Sequence, residues 1–328
     1  MARDLKIAII VIIAGVMASL AGCGSHESVP SSGEQAQVQT RLERGRCLVE
    51  GVMYCFACHA EVDWTAPEAP PRPGKKGGGA IFPETGLPFR MVASNISPDR
   101  ETGAGAWSDE QLARAIREGI GHDGCALFPI MPYLSYRDMS DDDLTSVIAY
   151  LRSIAPVHNA LPKTELPEPV KQSLPPHQPV TQPVSAPDLS DPIRRGAYLV
   201  KLGDCAGCHT PIGPQGRPIP DLALAGGRVL KGPWGEVASS NITPDASGIS
   251  YYDEGLFLHV MRTGYVKARK INSVMLWGYF RNMTDEDLQA LFAYLRTLKP
   301  VQHRVDNTEP PTPCQRCGFK HGLGASNQ

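Results

Sequence analysis

Two pentapeptides of the form Cys-x-x-Cys-His, at residues 55–59 and 205–209, offer the clearest chemistry in this chain of 328 residues. Two thiols three positions apart can each form a thioether with one vinyl group of a porphyrin, and the next histidine then lies under the iron. A zinc site would need four clustered ligands, whereas these pairs lie 150 positions apart. We therefore predict two covalently bound haem c groups, attached through Cys55, Cys58, Cys205 and Cys208 and ligated by His59 and His209.

The sixth iron ligand decides whether such a haem carries electrons or binds small molecules. Met131 and Met275 each lie in an irregular stretch about seventy residues after the motif histidine, which is enough chain to return over the other haem face. A thioether ligand closes the iron and raises its potential. Met139 and Met283 are the competing candidates, but each directly precedes a helix cap and is better placed as a core residue. The predicted distal ligands are Met131 and Met275.

The chain contains an internal repeat that includes both motifs. Ser94–Asp99 matches Ser240–Asp245, and residues 139–144 match residues 283–288. The offset between matching segments falls from 151 to 144 along the chain, as expected for two copies of one domain that differ by small loop deletions. Ten prolines lie within residues 156–192, which predicts a semi-rigid extended linker between the copies.

Apolar residues recur at helical spacing in three segments of each copy, and no alternating strand pattern of useful length is present. Ser140 and Thr284 are expected to cap the last helix of each copy. Gly45 and Gly196 are expected where the first and last helices cross at close range. The predicted fold class is therefore all-α, with helices beginning near Leu42, Leu112 and Leu144 and near Ile193, Phe257 and Leu288.

The N-terminus has the outline of a bacterial export signal. Arg3 and Lys6 precede an apolar run over residues 7–17, which is too short for a spanning helix. The sequence Leu-Ala-Gly-Cys at residues 20–23 resembles a lipobox, which would make Cys23 a lipid anchor. An ordinary secretory signal or an uncleaved anchor remains open. We expect a chain on the periplasmic side, lipid-anchored to a membrane, with a polar, structureless tether after Cys23.

The balance of charges excludes one class of protein. The chain has 32 basic and 34 acidic residues, so it lacks the electrostatic footprint of a nucleic-acid-binding protein.

In an oxidising compartment, unpaired thiols are unexpected. Cys47 and Cys125 are peculiar to the first copy, which suggests a disulfide between them, and the rival hypothesis pairs either one with the tail. Cys314 and Cys317 suggest a local disulfide rather than a metal site. The lone histidines at 122, 158, 177, 259, 303 and 321 are interpreted as solvent or packing residues.

The ordered motifs resemble a known family. Arg-Gly-x-x-Leu-Val, Cys-x-x-Cys-His, Ser-Asn-Ile-Ser/Thr-Pro-Asp and Met-Ser/Thr-Asp-x-Asp-Leu are similar to the cytochrome c domains of membrane-associated dehydrogenase cytochrome subunits, as in alcohol and gluconate dehydrogenases. Those subunits generally carry three haem domains, and this chain has two. Their distal methionine is usually followed by proline, as Met131 is by Pro132, whereas Leu276 follows Met275. Asn95 and Asn241 could bind haem propionates, hold the methionine loop or form turns.

The resemblance implies an electron carrier rather than an enzyme. Electrons from a periplasmic dehydrogenase would pass through two haems to quinone, another cytochrome or a terminal oxidase. The alternatives are a dihaem peroxidase-type enzyme or a haem-based redox or gas sensor, and a distal methionine in both copies argues against an open iron. The expected organisation is a lipoprotein signal peptide (1–22), a tether (23–40), cytochrome c domain 1 (41–157), a proline-rich linker (158–190), cytochrome c domain 2 (191–301) and a C-terminal tail (302–328).

Overall fold

The computed structural model describes residues 32–82, 87–213, 216–307 and 312–321, and these ranges are mostly helical, as predicted. The short strands form four separate two-stranded antiparallel sheets. A π-helical turn, Leu48–Val52, follows the first helix. The helices are α1 (Ser32–Cys47), α2 (Cys55–Cys58), α3 (Asp109–Glu118), α4 (Tyr133–Tyr136), α5 (Asp141–Ser153), α6 (Glu168–Ser173), α7 (Pro192–Leu202), α8 (Cys205–His209), α9 (Glu254–Thr263), α10 (Trp277–Phe280) and α11 (Asp285–Thr297). The strands are β1 (Ala80–Ile81), β2 (Val92–Ala93), β3 (Val229–Gly232), β4 (Gly235–Ala238), β5 (Tyr265–Val266), β6 (Arg269–Lys270), β7 (Thr312–Pro313) and β8 (Lys320–His321).

The first and last helices of each repeat cross at a glycine, as predicted. A Cβ atom on Gly45 of α1 would overlap the carbonyl oxygen of Ser146 in α5. A Cβ atom on Gly196 of α7 would overlap the carbonyl oxygen of Ala290 in α11. Because only glycine lets the two backbones approach this closely, the same residue type sets the same helix crossing in both repeats.

The predicted helix caps are also confirmed. The Ser140 hydroxyl accepts a hydrogen bond from the Asp143 amide at 3.2 Å, and the Thr284 hydroxyl accepts one from the Asp287 amide at 3.1 Å. Each interaction satisfies an amide that the first turn of a helix leaves without an intrahelical partner. Three consecutive acidic residues then begin both α5 and α11, where their charge favours the positive end of the helix dipole.

The segments outside the predicted helices differ from the sequence interpretation. Helix α1 begins at Ser32, so the prediction of a structureless tether is wrong for residues 32–40, where helix-favouring Gln, Glu and Ala residues extend the helix. The proline-rich segment contains α6 and lies against the first repeat. The His177 ring bonds to Glu118 at 2.8 Å, and the Asp141 amide donates to the Val184 carbonyl at 2.9 Å. This segment is therefore bound along one repeat.

The two repeats share one hydrophobic core, and a smaller cluster lies beneath the C-terminal tail. Leu48 and Val49 of the first repeat belong to the same buried cluster as Leu199 and Leu288 of the second. The smaller cluster consists of Leu222, Ala225 and Cys317, with Ile219, Val301 and Cys314 packed against it. Within the residues that the structure describes, no helix is long and apolar enough to span a bilayer.

Candidate haem sites

Each Cys-x-x-Cys-His motif lies on a short helix just after the first helix of its repeat. Helix α2 carries the first motif and α8 carries the second. The residue before each motif, Tyr54 or Asp204, has a left-handed backbone with φ of 39° or 45°. This conformation is uncommon for residues other than glycine, and its occurrence in both repeats indicates that the same sharp turn presents both motifs.

The motif histidines are oriented by matching backbone carbonyls. His59 Nδ1–H donates to the Ser94 carbonyl and His209 Nδ1–H donates to the Ser240 carbonyl, each at 2.7 Å. Each bond fixes the tautomer and leaves Nε2 as the nitrogen with a free lone pair. Burial lowers the pKa of both imidazoles, which favours the neutral form that binds a metal. Both rings therefore present Nε2 in a form that could bind a metal, as expected of the predicted iron ligands.

The asparagines after these serines hold the same loop in place. Asn95 Nδ2 donates to the Val157 carbonyl at 2.7 Å, and its Oδ1 accepts from the Ser97 amide at 3.0 Å. Asn241 Nδ2 donates to the Val301 carbonyl at 2.8 Å in the second repeat. Of the roles considered from the sequence, the turn-forming role is the one that these contacts support. Each asparagine joins the histidine-orienting loop to the segment that follows the last helix.

The four motif thiols are partly buried, and those of Cys55 and Cys205 pack against the core that the repeats share. Burial raises the pKa of Cys55 to about 12, and burial together with the neighbouring Cys208 raises the pKa of Cys58 to about 12. Cys58 and Cys208 are thus close enough to interact across the two repeats. A thioether has no proton to lose, so covalently attached haem suits this environment better than a thiolate redox pair, which needs a lowered pKa.

The backbone also brings the two motifs together. Gly203, two residues before the second motif, lies beside the π-helical turn of the first repeat, where a Cβ atom would be 3.6 Å from the Val52 carbonyl oxygen. The Ser135 hydroxyl of α4 donates to Asp204 across the repeats at 2.6 Å. The segment just before the second motif therefore lies against the π-helical turn and α4 of the first repeat.

The methionines fall into two groups with different environments. Met139 is fully buried and Met283 is 3% exposed, and both belong to the shared core. Met131 and Met275 are partly buried at the edge of that core, in loops just before α4 and α10. This difference in burial agrees with the interpretation of Met139 and Met283 as core residues, and Met131 and Met275 remain the predicted ligands.

A buried indole in the second repeat has a hydrogen-bond donor for which a haem could provide the acceptor. Trp277 lies two residues after Met275 and is 3% exposed, and its Nε1–H has no hydrogen-bond partner within the described ranges. A buried donor without a partner costs about 1–3 kcal/mol. A haem propionate is an acceptor that would satisfy it, so this residue fits a haem beside the Met275 loop.

Polar side chains join the first helix of each repeat to the last helix of the other. The Tyr198 hydroxyl donates to Asp143 at 2.9 Å and accepts from the Ser140 amide at 3.0 Å. At the matching position of the first repeat, the Cys47 thiol donates to Asp287 at 3.7 Å. Arg44 pairs with Asp143 at 2.8 Å within its own repeat, as Arg195 does with Asp287 at 2.6 Å.

The structure does not form the disulfides expected from the sequence. All eight cysteines in the described part of the chain are unpaired. Cys47 is directed at Asp287 and Cys125 lies exposed in a loop, so the structure does not join these two residues. Cys314 and Cys317 are also free thiols. Cys23, the predicted lipid site, lies outside the described residues.

A cluster near the C-terminus was missed by sequence reasoning. On sequence alone His303 and His321 have no partner, but their ring nitrogens and the thiols of Cys314 and Cys317 lie within 4.8 Å of one another. The spacing Cys-x-x-Cys-Gly-x-x-His over residues 314–321 was an available signal, whereas His303 comes from a separate segment. The proximity of all four groups could be seen only once the tail was folded against the second repeat.

Comparison with known proteins agrees with this geometry. The cytochrome c family profile matches residues 193–299. The fructose dehydrogenase cytochrome subunit of Gluconobacter japonicus is 32% identical over 74% of this chain and 50% of its own length. The gluconate 2-dehydrogenase cytochrome c subunit of Pantoea cypripedii is 30% identical over 74% of this chain and 56% of its own length.

The match to a third relative covers most of both proteins. The diheme cytochrome c-type protein of Cereibacter sphaeroides is 30% identical over 76% of this chain and 83% of its own length. By contrast, the chain spans only about half the length of the two dehydrogenase subunits above. The matched profile and this relative show that the chain belongs to the cytochrome c family, whose members bind haem c covalently and transfer electrons.

Proposed function

We propose that this chain is a dihaem electron carrier made of two tandem cytochrome c domains, over residues 41–157 and 191–301, joined by the segment 158–190. The duplicated histidine–carbonyl hydrogen bond carries the proposal, because it prepares one iron ligand in each repeat with the same 2.7 Å contact. Cys55 and Cys58 would attach one haem, and Cys205 and Cys208 would attach the other.

The haem supplies a one-electron iron couple, and the chain supplies its ligands and surroundings. His59 and His209 would bind the two irons through Nε2. Met131 and Met275 would supply the sixth ligand of each iron, and a thioether in that role would favour electron transfer over ligand chemistry. Cys55 and Cys205 pack against the shared apolar core, which would shield the attachment sites in part from water.

Electron movement within one chain is supported by the proximity of the two motifs. The Ser135 hydroxyl of the first repeat donates to Asp204, next to the second motif, at 2.6 Å, and Cys208 contributes to the raised pKa of Cys58. Haems attached through these thiols would both be held beside the contact between the repeats. We therefore assign the interface as the path between the two irons.

The relatives suggest the type of redox partner. Similar proteins include the fructose dehydrogenase cytochrome subunit and the gluconate 2-dehydrogenase cytochrome c subunit. By this analogy the electron donor of this chain is a dehydrogenase, and the acceptor is quinone, another cytochrome or a terminal oxidase. The chain itself would act as a carrier and not as the enzyme that oxidises the substrate.

The N-terminal sequence supports attachment to a membrane on the periplasmic side. Residues 1–22 would be removed as a lipoprotein signal, which leaves Cys23 as the lipid-bearing N-terminus. Mass spectrometry of the mature N-terminal peptide tests this part separately. A diacylglycerol-modified Cys23 supports the anchor, and an unmodified Cys23 in the native mature chain contradicts it.

A reduced-minus-oxidised spectrum with and without carbon monoxide tests the carrier function. Two six-coordinate haems that do not react with carbon monoxide are expected, because a methionine closes each iron. A haem that binds carbon monoxide readily in the native protein would contradict the proposal and favour a peroxidase-type enzyme or a sensor. The measurement is independent of the unidentified donor and acceptor.

A further inference from the structure

Four metal-binding side chains converge at the C-terminal tail, apart from the haem motifs. They are two imidazoles and two thiols, and their ligand atoms all lie within 4.8 Å of one another. His303 Nε2 is 3.3 Å from Cys314 Sγ, and His321 Nε2 is 3.1 Å from Cys317 Sγ. Tetrahedral zinc bonded to nitrogen and sulfur at its usual bond lengths places such pairs about 3.6 Å apart.

Both histidines are held by hydrogen bonds from their other ring nitrogen. His303 Nδ1–H donates to the Ala225 carbonyl at 2.9 Å, and His321 Nδ1–H donates to the Arg304 carbonyl at 3.3 Å. These bonds fix the tautomer that leaves Nε2 as the free lone pair directed at the centre. Outer hydrogen bonds of this kind orient histidine ligands in metal sites.

The two cysteines lie on a tight turn that presents both sulfurs to the same side. The Arg316 amide donates to Cys314 Sγ at 3.4 Å, and the Gly318 amide donates to the Cys314 carbonyl at 3.0 Å. Gly318 has a φ of 78°, which favours glycine at this place. An amide donated to sulfur stabilises the thiolate that a metal requires.

Burial makes a solvent or packing role for these groups costly. His303 is 2% exposed, Cys317 is 4% exposed and His321 is 5% exposed. Gly227, with a φ of 92°, lies against both rings, where a Cβ atom would be 2.6 Å from His303 Cε1 and 2.8 Å from His321 Nε2. The backbone is therefore shaped to admit two imidazoles, whose polar nitrogens need a partner at this depth.

We propose that His303, Cys314, Cys317 and His321 form a structural zinc site. Two neutral nitrogens with two thiolate sulfurs are a zinc donor set, and four protein ligands leave no open position for catalysis. The ion would lock the tail onto the loop that follows the second haem motif. In that loop the Ala225 carbonyl accepts from His303, and the next amide, Gly226, donates to the His209 carbonyl at 2.7 Å.

A local Cys314–Cys317 disulfide is the competing structure, and it would consume both sulfur ligands. Oxidation would leave the two buried imidazoles without their sulfur neighbours as ligands, whereas zinc uses all four groups. The two structures differ in metal content and in the alkylation of the tail peptide. They can therefore be separated in the wild-type holoprotein without a variant.

The test begins with the purified full-length protein, expressed with zinc in the medium. Elemental analysis should give one zinc per chain in addition to the haem iron. Absorption at the zinc K edge should give two sulfur neighbours at about 2.3 Å and two nitrogen neighbours at about 2.0 Å. Absence of zinc, another metal in its place, or a denatured tail peptide that resists alkylation until reduced would overturn the proposal.

Matched variants locate the ion. The double variant Cys314→Ser/Cys317→Ser should lose the zinc while the spectra of both haems are retained. Cys125→Ser changes an exposed cysteine elsewhere and should keep one zinc per chain. Zinc retained by the double variant would overturn the assignment. Should that variant fold poorly, His303→Gln replaces one ligand and should also lose the zinc, and its retention would overturn the assignment equally.

Discussion

The two repeats share the residues that hold a haem motif and differ in what surrounds it. His59 and His209 are oriented by carbonyls at the same 2.7 Å distance, and Gly45 and Gly196 make the same helix crossing. At the interface, however, Cys47 occupies the position that Tyr198 occupies in the other copy. The residues that the repeats share thus determine how each haem motif is held. The residues that differ determine how one repeat packs against the other.

The methionine loops are the second point of difference. In the first repeat, Pro132 follows Met131, and Asp123 ties the loop to the linker through Lys163 at 2.6 Å. In the second repeat, Met275 ends a 3-10 turn and Leu276 follows with a φ of 59°. Similar ligands are therefore held by unlike loops, which predicts different responses to mutation in the two repeats.

The largest expected effect comes from the helix crossings that the repeats share. Gly45→Ala and Gly196→Ala should each destabilise the protein by about 3 kcal/mol or more, because the added methyl overlaps a backbone carbonyl that cannot move freely. Denaturant unfolding measures both. Gly33→Ala in α1, where nothing lies within 4 Å, should be neutral or slightly stabilising. Equal tolerance of all three substitutions would contradict the crossing.

The methionine pairs separate ligation from packing. Met139→Ala should cost about 2–5 kcal/mol of stability and leave the spectrum of the first haem unchanged, because Met139 is fully buried in the core. Met131→Ala should cost less stability but lower the potential of that haem and open its iron to carbon monoxide.

Spectra and unfolding of the two methionine variants give the outcome directly. An unreactive iron in Met131→Ala together with a reactive iron in Met139→Ala would show that the ligand assignment is reversed. The same comparison of Met275→Ala with Met283→Ala tests the second repeat, where leucine and not proline follows the predicted ligand.

How much of the fold could be predicted depends on how far apart along the chain the interacting residues lie. Helices α5 and α11 follow from their apolar periodicity and from Ser140 and Thr284, because caps and periodicity are local signals. The strand pairs escaped prediction, since β1, β2 and β5 to β8 are only two residues long and cannot show an alternating pattern.

In the candidate sites, the features that could not be predicted are contacts between residues far apart along the chain. The orientation of His59 needs the Ser94 carbonyl, 35 positions away. The tail cluster needs His303 and three ligands from a separate turn. Such contacts depend on how loops fold back onto the core, which spacing along the chain does not determine. Adjacency of the two haem motifs likewise follows only from packing of the repeats.

An effect of intermediate size on stability is expected at the interface position that Tyr198 occupies in one repeat and Cys47 in the other. Tyr198→Phe should cost about 1–3 kcal/mol, because the buried Ser140 amide loses its acceptor and Asp143 loses a donor. Cys47→Ser should change the free energy of unfolding by less than about 1 kcal/mol, since the thiol is a weak donor and serine keeps a hydroxyl there. A larger loss for Cys47→Ser than for Tyr198→Phe would reverse the comparison.

The smallest effect concerns the salt bridge between Lys163 and Asp123 at the first methionine loop. Lys163 lowers the pKa of Asp123 to about 2, so the pair stabilises the fold above the ordinary aspartate pKa and this stabilisation is lost as the pH falls towards 2. The Lys163 side chain is 70% exposed, so screening by solvent keeps this gain small.

The variant Lys163→Met tests this pair through its pH dependence. The difference in unfolding free energy between wild type and Lys163→Met should be measurable at pH 7 and should vanish near pH 2. A difference that stays constant over this range would show that the lysine acts through packing and not through charge.

The most direct test of the whole account counts haems by intact mass under denaturing conditions. Wild type should carry two haems, and Cys55→Ala/Cys58→Ala and Cys205→Ala/Cys208→Ala should each carry one, with the remaining haem on the peptide of the intact motif. A wild-type chain with a single haem, or a variant pair in which both forms keep the haem on the same peptide, would contradict the assignment of one haem to each repeat.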